Sequence, residues 1–310
     1  MNKKINIIDY LPKNIKQEFL KKSNYVHLSN FKDLKETIEN LAKAKKLDFF
    51  RFNENYFQIL GNDWLLNTPI SKYGVLNIKE DIPNTIPALN NAIKEKFSII
   101  IPVQIISDGT LICFKDKTLG HYADENGYVT NFTYEEISKV KLNKTENYVL
   151  KLGDVLEHIK GKVPVIIEVI NPSSSHKIEE LVLKELLAYI EKYPIAYNKI
   201  AVLSVNPYSL EWFYRYAPYF TRIVKSGNFK GIKEYAGIKA KKLQKLKLAS
   251  KVAHADFIAY DAEAIPNPYI KRNKGYGVIA CNVYSQEDYE NLLGLGLADN
   301  IIFSGFSPKI

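Results

Sequence analysis

Cysteine is scarce in this sequence, with two among 310 residues. Cys113 and Cys281 both lie in apolar, strand-like runs, a setting typical of buried, reduced thiols and not of a disulfide pair. Two cysteines are too few for a cysteine-based zinc site. The scarcity therefore argues against a disulfide-rich secreted scaffold.

Long hydrophobic runs are also absent. The longest surrounds "GKVPVIIEVI" and is far shorter than the roughly 20 apolar residues that a membrane-spanning helix needs. The N-terminal residues begin with lysines, but Asp9, Pro12 and Lys13 interrupt them before the apolar core of a signal peptide can form. We therefore expect a soluble, cytoplasmic protein, and the 46% hydrophobic content is sufficient for a large core.

Several motifs that would identify a function are missing. None of the five histidines forms a metal-ligand spacing with another histidine or a carboxylate cluster. No Gly-x-Gly-x-x-Gly motif follows the first apolar strand, which argues against a dinucleotide-binding fold. No glycine-aromatic signature accompanies the basic residues, so nucleic acid is not an expected partner. We expect no cofactor.

Positive charge exceeds negative charge: the formal net charge is +9 and the sequence pI is near 9.1. This balance favours anionic partners such as phosphates or acidic lipids. The clearest basic segment is residues 238–252, where Ile238, Leu243 and Leu246 fall near helical spacing with lysines between them. A helix that lies on an anionic membrane has this pattern, and so does an outer helix of a globular domain, which is commoner. Peripheral membrane contact through this segment stays an open alternative.

Two regions differ in periodicity. Residues 1–62 are lysine-rich with a 3.6-residue apolar period, which predicts a mainly helical extension. Residues 63–310 contain short β-rich runs, from "WLLNTPIS" to "NIIFSGF", separated by helical stretches. Apolar strands that alternate with helices predict a parallel α/β sheet. About eight such units favour a closed (β/α)8 barrel over an open sheet.

Two lysines stand where predicted strands end. Lys72 closes the run in "PISKYG", and Lys115 closes the run in "LICFKD". The reactive groups of such barrels lie at the carboxyl ends of the strands, so we expect both ammonium groups in the same mouth. Tyr73, and Tyr260 in "ADFIAYD", are candidate hydrogen-bond donors there.

The order of these segments resembles that of glycerophosphodiester phosphodiesterases, a metal-dependent family with a TIM barrel. "PISKYG" stands where that family has an Ile-Ala-His-Arg-Gly run, and "IPNTIPALNNAI" is similar to its Pro-Glu-Asn-Thr helix start. "IIIPVQIISDGTLICFKDKTL" resembles its Glu-Leu-Asp-Val strand, Asp-Gly turn and Phe-His-Asp loop, and "KVPVIIEVI" resembles its Glu-Ile-Lys strand. The resemblance extends from about Trp64 to Pro308. It implies a TIM barrel and, for an intact member, cleavage of glycerol-phospho-alcohols.

The catalytic positions implied by the resemblance are substituted. The family's two histidines fall on Lys72 and Lys115, and its arginine falls on Tyr73. Histidine titrates near neutral pH, whereas lysine does so only after a large pKa shift, so we expect both lysines to be charged. The positions that match belong mainly to the scaffold: Gly74, Asn84, Asp108, Gly109 and Asp116.

The metal-binding positions are depleted as well. Two of the family's metal carboxylates fall on Ile100 and Pro102, which have no side-chain oxygen, whereas Glu168 is retained. A hard divalent cation needs several oxygen ligands. Without the cation, the charge on a reacting phosphate is not neutralised. We therefore expect no bound metal and no metal-dependent hydrolysis.

These substitutions leave three functions open. In the first, the lysines replace the cation and hold a phosphorylated small molecule, a glycerophosphodiester or a lipid headgroup without cutting it. Its ligand-binding residues are Lys72, Tyr73, Lys115, Glu168 and Tyr260. In the second, Lys72 or Lys115 has a lowered pKa and serves a metal-independent phosphodiesterase or lyase; these two are the candidate catalytic residues. In the third, both lysines pair with carboxylates and close a structural or partner-binding barrel.

Overall fold

Eight parallel strands close into a barrel in the computed structural model, which describes residues 64–76, 82–120, 122–123, 127–249, 251–272 and 276–310. The strands are β1 (Ile70–Lys72), β2 (Ser98–Ile105), β3 (Val165–Val169), β4 (Ile200–Ser204), β5 (Thr221–Ser226), β6 (Phe257–Asp261), β7 (Gly277–Val283) and β8 (Asn300–Phe303). The barrel closes because β1 pairs with β2 on one side and with β8 on the other. The predicted (β/α)8 TIM barrel is confirmed. The predicted helical extension at residues 1–62 lies outside the described residues.

Helices connect the strands and cover the barrel. Within the described ranges they are α1 (Trp64–Asn67), α2 (Ile86–Lys94), α3 (Tyr134–Ile137), α4 (Leu152–Ile159), α5 (Lys177–Lys192), α6 (Pro207–Tyr216), α7 (Ala240–Gln244), α8 (Pro268–Arg272) and α9 (Gln286–Gly294). Polar residues cap several of their starts, among them Thr133 at α3. The Asn206 side chain accepts a hydrogen bond from Tyr208 N at α6, and the Ser285 side chain accepts one from Asp288 N at α9.

Side chains alternate along each strand between the barrel interior and the layer under the helices. The strands supply an interior cluster that consists of Ile70, Ile100, Ile166, Ala201, Leu203, Ile223, Phe257, Ala259, Ile279, Cys281 and Ile302. The outer layer joins the other strand residues to the helices and includes Ile101, Val103, Ile167, Val202, Val224, Leu156, Leu183 and Phe213. Because both faces of each strand are buried, the strands appear in the sequence as nearly unbroken apolar runs.

The chain makes an excursion between β2 and β3. Residues 111–112 form a short strand that pairs antiparallel with the end of β2. The segment that follows has a small apolar core of its own, which includes Ile112, Phe114, Leu119, Val129 and Val149. The excursion brings Lys115 back to the carboxyl end of the barrel.

The basic segment at residues 238–252 does not form a membrane-surface helix. It begins with a two-residue strand, and α7 covers only Ala240–Gln244 of it. Ile238, Leu243 and Leu246 are buried. Their apolar side chains therefore contact the protein core, and the alternative of membrane contact through this segment has no support in the fold.

Both cysteines are buried free thiols, as predicted. Burial raises the pKa of Cys281 to about 12, so this thiol is neutral at physiological pH. No helix in the described part of the chain is long and apolar enough to cross a bilayer.

Candidate functional site

The turn after β1 presents Lys72 and Tyr73 at the carboxyl end of the barrel. Tyr73 has a left-handed backbone (φ 66°), and Gly74 follows with φ 96°. A Cβ at Gly74 would lie 2.7 Å from the Ala88 carbonyl carbon, so glycine is required for the turn to pack against α2. The carbonyl of Tyr73 accepts a hydrogen bond from Asn84 N at 2.8 Å, which ties the two ends of this loop together.

The excursion after β2 positions Lys115. The Gln104 side chain on β2 donates to the carbonyl oxygens of Phe114 and Asp116, at 2.7 and 2.9 Å, and so fixes the backbone on both sides of Lys115. Asp108 supports the turn that precedes it, since its carboxylate accepts hydrogen bonds from Thr110 N and Tyr134 N. The scaffold role predicted for Asp108 is consistent with these bonds.

Glu168 on β3 is the centre of the site. Its side chain is 2% exposed, and its Oε1 lies 2.7 Å from Lys115 Nζ and 2.9 Å from Lys225 Nζ. Its Oε2 accepts a hydrogen bond from the Tyr73 hydroxyl at 2.9 Å. Both carboxylate oxygens are therefore engaged by donors from three different parts of the barrel.

The charges of this cluster stabilise one another. Burial alone would raise the pKa of Glu168, but the charges of Lys115 and Lys225 outweigh it and hold the pKa well below its usual value. For Lys225, burial lowers the pKa, but the charge and hydrogen bond of Glu168 together with Cys281 and Asp261 outweigh it, and the pKa is raised. For Lys115, burial prevails over Glu168 and the pKa is lowered. Burial and the neighbouring Glu168 raise the pKa of Tyr73 well above its usual value, so its hydroxyl remains a donor.

Lys72 has different surroundings. Its Nζ lies 5.5 Å from the centroid of the Tyr73 ring, a weak cation–π contact, and it forms no ion pair with any described residue. Burial lowers the pKa of Lys72, and the charge of Lys225 lowers it further, against a smaller opposing effect of Glu168. Of the two lysines that the third alternative pairs with internal carboxylates, Lys115 has such a partner, and Lys72 has none among the described residues.

A cavity of about 290 Å³ opens above Glu168. Its lining combines three lysines and an aspartate with apolar and aromatic side chains. The residues are Lys72, Tyr73, Ile82, Pro83, Asn84, Phe114, Lys115, Asp116, Tyr122 and Lys225. Four of the five predicted ligand-binding residues thus line the cavity or bind its lysines.

The fifth predicted residue, Tyr260, does not lie at the mouth of the barrel. Its ring packs in the layer outside the barrel, and its hydroxyl donates to the Gln244 carbonyl at 3.2 Å. On β6 it is Ala259 that faces the interior. Strand alternation therefore directs Tyr260 away from the mouth, and the prediction that it binds the ligand there is wrong.

Lys225 was missed by the sequence argument. It lies on β5 two residues after Ile223, an interior residue, so strand alternation also turns Lys225 inward. The run "TRIVKS" contains this signal, but the resemblance to the family assigns no function to the position. The site therefore contains a third lysine that the sequence argument did not assign.

The donor set does not fit a divalent cation. Ile100 lies in the barrel interior, and Pro102 is the register neighbour of Glu168 on β2. Neither supplies an oxygen, and both oxygens of Glu168 accept from protein donors. Among the described residues, no group of three or more His, Cys, Asp or Glu side chains could hold a metal ion. Such a cation needs six or more ligands, mostly oxygens.

Comparisons with known proteins agree on the architecture. Residues 78–298 match the model of the glycerophosphoryl diester phosphodiesterase family. No curated protein matches the sequence at a significant level.

Solved structures of phosphodiesterases share the barrel. A glycerophosphodiester phosphodiesterase from Agrobacterium tumefaciens has a TM-score of 0.55 at 19% identity, over 76% of this chain and 96% of that chain. A phosphodiesterase from Oleispira antarctica, solved in complex with the product sn-glycerol-3-phosphate, has a TM-score of 0.60 at 16% identity, over 77% of this chain and 93% of that chain. At these identities the superpositions establish the fold.

Proposed function

The chain belongs to the glycerophosphoryl diester phosphodiesterase family, and we propose that it binds a phosphorylated small molecule or headgroup in the lysine-lined cavity without metal-dependent hydrolysis. The observation that carries the proposal is the excess of ammonium groups at the cavity, where three lysines face the carboxylates of Glu168 and Asp116. Lys115 and Lys225 share the Glu168 carboxylate, and Lys72 has no carboxylate in contact among the described residues. A phosphate is the anion that such a cluster would attract.

The size of the cavity supports a small ligand. Ligand sites commonly measure about 300–1,000 Å³, and this cavity is near the lower end at about 290 Å³. A glycerol phosphate or a single headgroup is compatible with that volume, whereas an acyl chain is not. Asn84, which also lines the cavity, carries an amide that can hydrogen-bond to a ligand's hydroxyl. The Oleispira antarctica phosphodiesterase, which binds sn-glycerol-3-phosphate, provides the probe.

The ammonium groups neutralise the charge of the phosphate, which a metal ion does in the metal-dependent members of the family. Metal-dependent hydrolysis needs a cation that neutralises phosphate charge and positions the attacking oxygen. Charged lysines supply the first of these functions as point charges, but they do not activate a water molecule. The arrangement therefore favours binding over turnover.

The proposal includes the cytoplasmic location that the sequence predicts.

Calorimetric titration of sn-glycerol 3-phosphate in the presence of a chelator tests the proposal. We expect saturable binding that weakens with salt. Lys72→Met removes one charge without leaving a carboxylate unpaired among the described residues, and it should weaken binding about 10- to 100-fold, the value of one charge-assisted hydrogen bond. Lys184→Met, on the exposed face of α5, is the matched control and should have no effect.

Two other outcomes would contradict the proposal. Binding that requires Mg²⁺ or Ca²⁺ would mean that a metal site forms despite Ile100 and Pro102. Absence of heat in wild type would support the alternative of a structural barrel, whose mouth is closed by its own ion pairs. Phosphorus NMR on glycerophosphodiesters with chelator present tests the metal-independent enzyme, since cleavage that disappears in Lys72→Met would favour that candidate.

A further inference from the structure

The three lysines of the cavity have two kinds of environment. Lys115 and Lys225 are held at 2.7 and 2.9 Å from the same Glu168 oxygen. Their charges are stabilised by that carboxylate, and their positions are fixed. Lys72 faces the same cavity with no ion pair among the described residues, and its described contact is the weak one to the Tyr73 ring. The cavity therefore combines two anchored cations with one lysine that no carboxylate of the described residues holds.

We propose that Lys72 is a nucleophilic amine that forms an imine with a small phosphorylated aldehyde or ketone, whose phosphate is bound by Lys115 and Lys225. The inference rests on the proposed function, because it requires a phosphate in this cavity. It adds a chemical class to the ligand, namely a carbonyl compound, and a covalent step to the site.

The surroundings of Lys72 ease the loss of its proton, so the neutral amine forms more readily than at an exposed lysine, while the ammonium form is the one that attracts the anion. Burial and the neighbouring Lys225 lower its pKa, and a lysine that is desolvated beside another cation is a known way to activate an amine. Glu168 raises the pKa of Lys72 to a smaller extent. Burial also lowers the pKa of Lys115, but the Lys115 nitrogen is held 2.7 Å from a Glu168 oxygen. Lys72 has no carboxylate in contact among the described residues, so it is the better placed of the two to react with a carbonyl.

The reaction needs no redox partner. The neutral Nζ of Lys72 adds to the carbonyl carbon, a C–N bond forms, and the carbonyl oxygen receives the proton that nitrogen loses. A proton from solvent then converts the carbinolamine hydroxyl into water, the C–O bond breaks, and the nitrogen lone pair forms a C=N bond whose nitrogen carries the positive charge. One water leaves for each imine formed, and the positive charge on nitrogen remains next to the bound phosphate.

Reductive trapping tests the inference. The full-length protein is incubated with D-glyceraldehyde 3-phosphate and cyanoborohydride, which reduces the imine to a stable secondary amine, and the adduct is located by peptide mass spectrometry. We expect labelling at Lys72, at a concentration at least about tenfold lower than with D-glyceraldehyde, since one charge-assisted hydrogen bond to phosphate is worth about that factor. Prior addition of sn-glycerol 3-phosphate should protect Lys72.

Two variants serve as controls. Lys72→Arg keeps the positive charge but cannot form the imine, so the protected adduct should disappear, whereas Lys184→Arg should label like wild type. If Lys72→Arg does not fold, the site of labelling and its protection in wild type still decide the matter. Labelling of Lys72 and Lys184 at equal rates, or without preference for the phosphorylated aldehyde, would overturn the inference.

The failure of this inference differs from the failure of the proposed function. sn-Glycerol 3-phosphate has no carbonyl, so its calorimetric binding is independent of imine chemistry. If it binds and Lys72 is not trapped, the imine is refuted and phosphate binding stands. If it does not bind and no protected adduct forms, both are refuted.

Discussion

Replacing Glu168 with glutamine removes one negative charge and keeps the shape of the side chain. The carbonyl of the new amide can face Lys115 and Lys225, while its NH₂ group faces the Tyr73 oxygen, which can then accept. The hydrogen bonds of the cluster at 2.7–2.9 Å are thereby largely preserved. The change therefore isolates the contribution of the charge to stability.

We expect Glu168→Gln to lower the free energy of unfolding by about 3 kcal/mol. Removal of one partner from a buried ion pair costs about 3–5 kcal/mol, because the other partner is left without a counter-ion. The lower end applies here, since the side chains of Lys115 and Lys225 are 35% and 24% exposed and water in the cavity screens their charges. For a barrel of this size, the change corresponds to a decrease in Tm of about 6–12 °C.

Urea and thermal unfolding, with and without inorganic phosphate, provide the assay. Phosphate should stabilise Glu168→Gln more than wild type, because in the variant it supplies the counter-ion that the lysines have lost. Glu180→Gln, an exposed residue on α5, makes the same chemical change away from the cluster and should leave stability within about 0.5 kcal/mol. A Glu168→Gln protein that is as stable as wild type, or that phosphate stabilises no better than wild type, would refute the assignment of Glu168 as the counter-ion of the cluster.

Two further predictions concern acid stability and the turn after β1. The folded pKa of Glu168 is depressed from its usual value of 4.5. The contribution of its charge to stability is therefore present above that value and is lost progressively as the pH falls below it. Between about pH 5 and pH 2, urea titrations should show wild type losing stability more steeply than Glu168→Gln, and parallel curves would contradict this. Gly74→Ala should lower the free energy of unfolding by about 2 kcal/mol or more, because the new methyl group would meet the Ala88 backbone and the backbone φ of 96° is unfavourable for alanine. Circular dichroism melts measure the change. An unchanged Tm would show that the turn can move away from α2.

The fold could be predicted from the sequence because barrel strands have a simple signature. Each strand is buried on both faces, so it appears as a short apolar run, and the runs alternate with helical periodicity. The lysine at the end of β1 could be assigned to the mouth because all parallel strands of the barrel end on the same side. Lys115 reaches the same mouth for another reason, since it follows a short strand that pairs antiparallel with β2 and returns the chain to that end. The direction in which each side chain points does not follow from the strand pattern alone.

That missing direction accounts for the two errors at the site. Tyr260 is at the end of an apolar run, but Ala259 is the interior residue of β6, so the tyrosine ring lies outside. Lys225 is the opposite case. Ile223 on the same strand faces the interior, so a residue two positions later, Lys225, also faces inward. A period of two applied from a known interior residue would have corrected both assignments. The choice of that reference residue requires the strand register, which a single sequence leaves open.

The apolar side chains of Ile100 and Pro102 affect the charge balance of the lysines at the mouth, because they lie next to the lysine–glutamate cluster. Lys72 and Ile100 are partners in the register of β1 and β2, and Pro102 is the partner of Glu168 across β2 and β3. A carboxylate at position 100 would lie beside Lys72, and in the low dielectric of the barrel interior the two would pair. Lys115 and Lys225 both bind the buried carboxylate of Glu168, which a single ammonium group would neutralise, and Lys72 has no carboxylate in contact within the described chain. On the residue matching that the family resemblance implies, Ile100 and Pro102 stand at carboxylate positions, and their apolar side chains leave Lys72 without a carboxylate partner there.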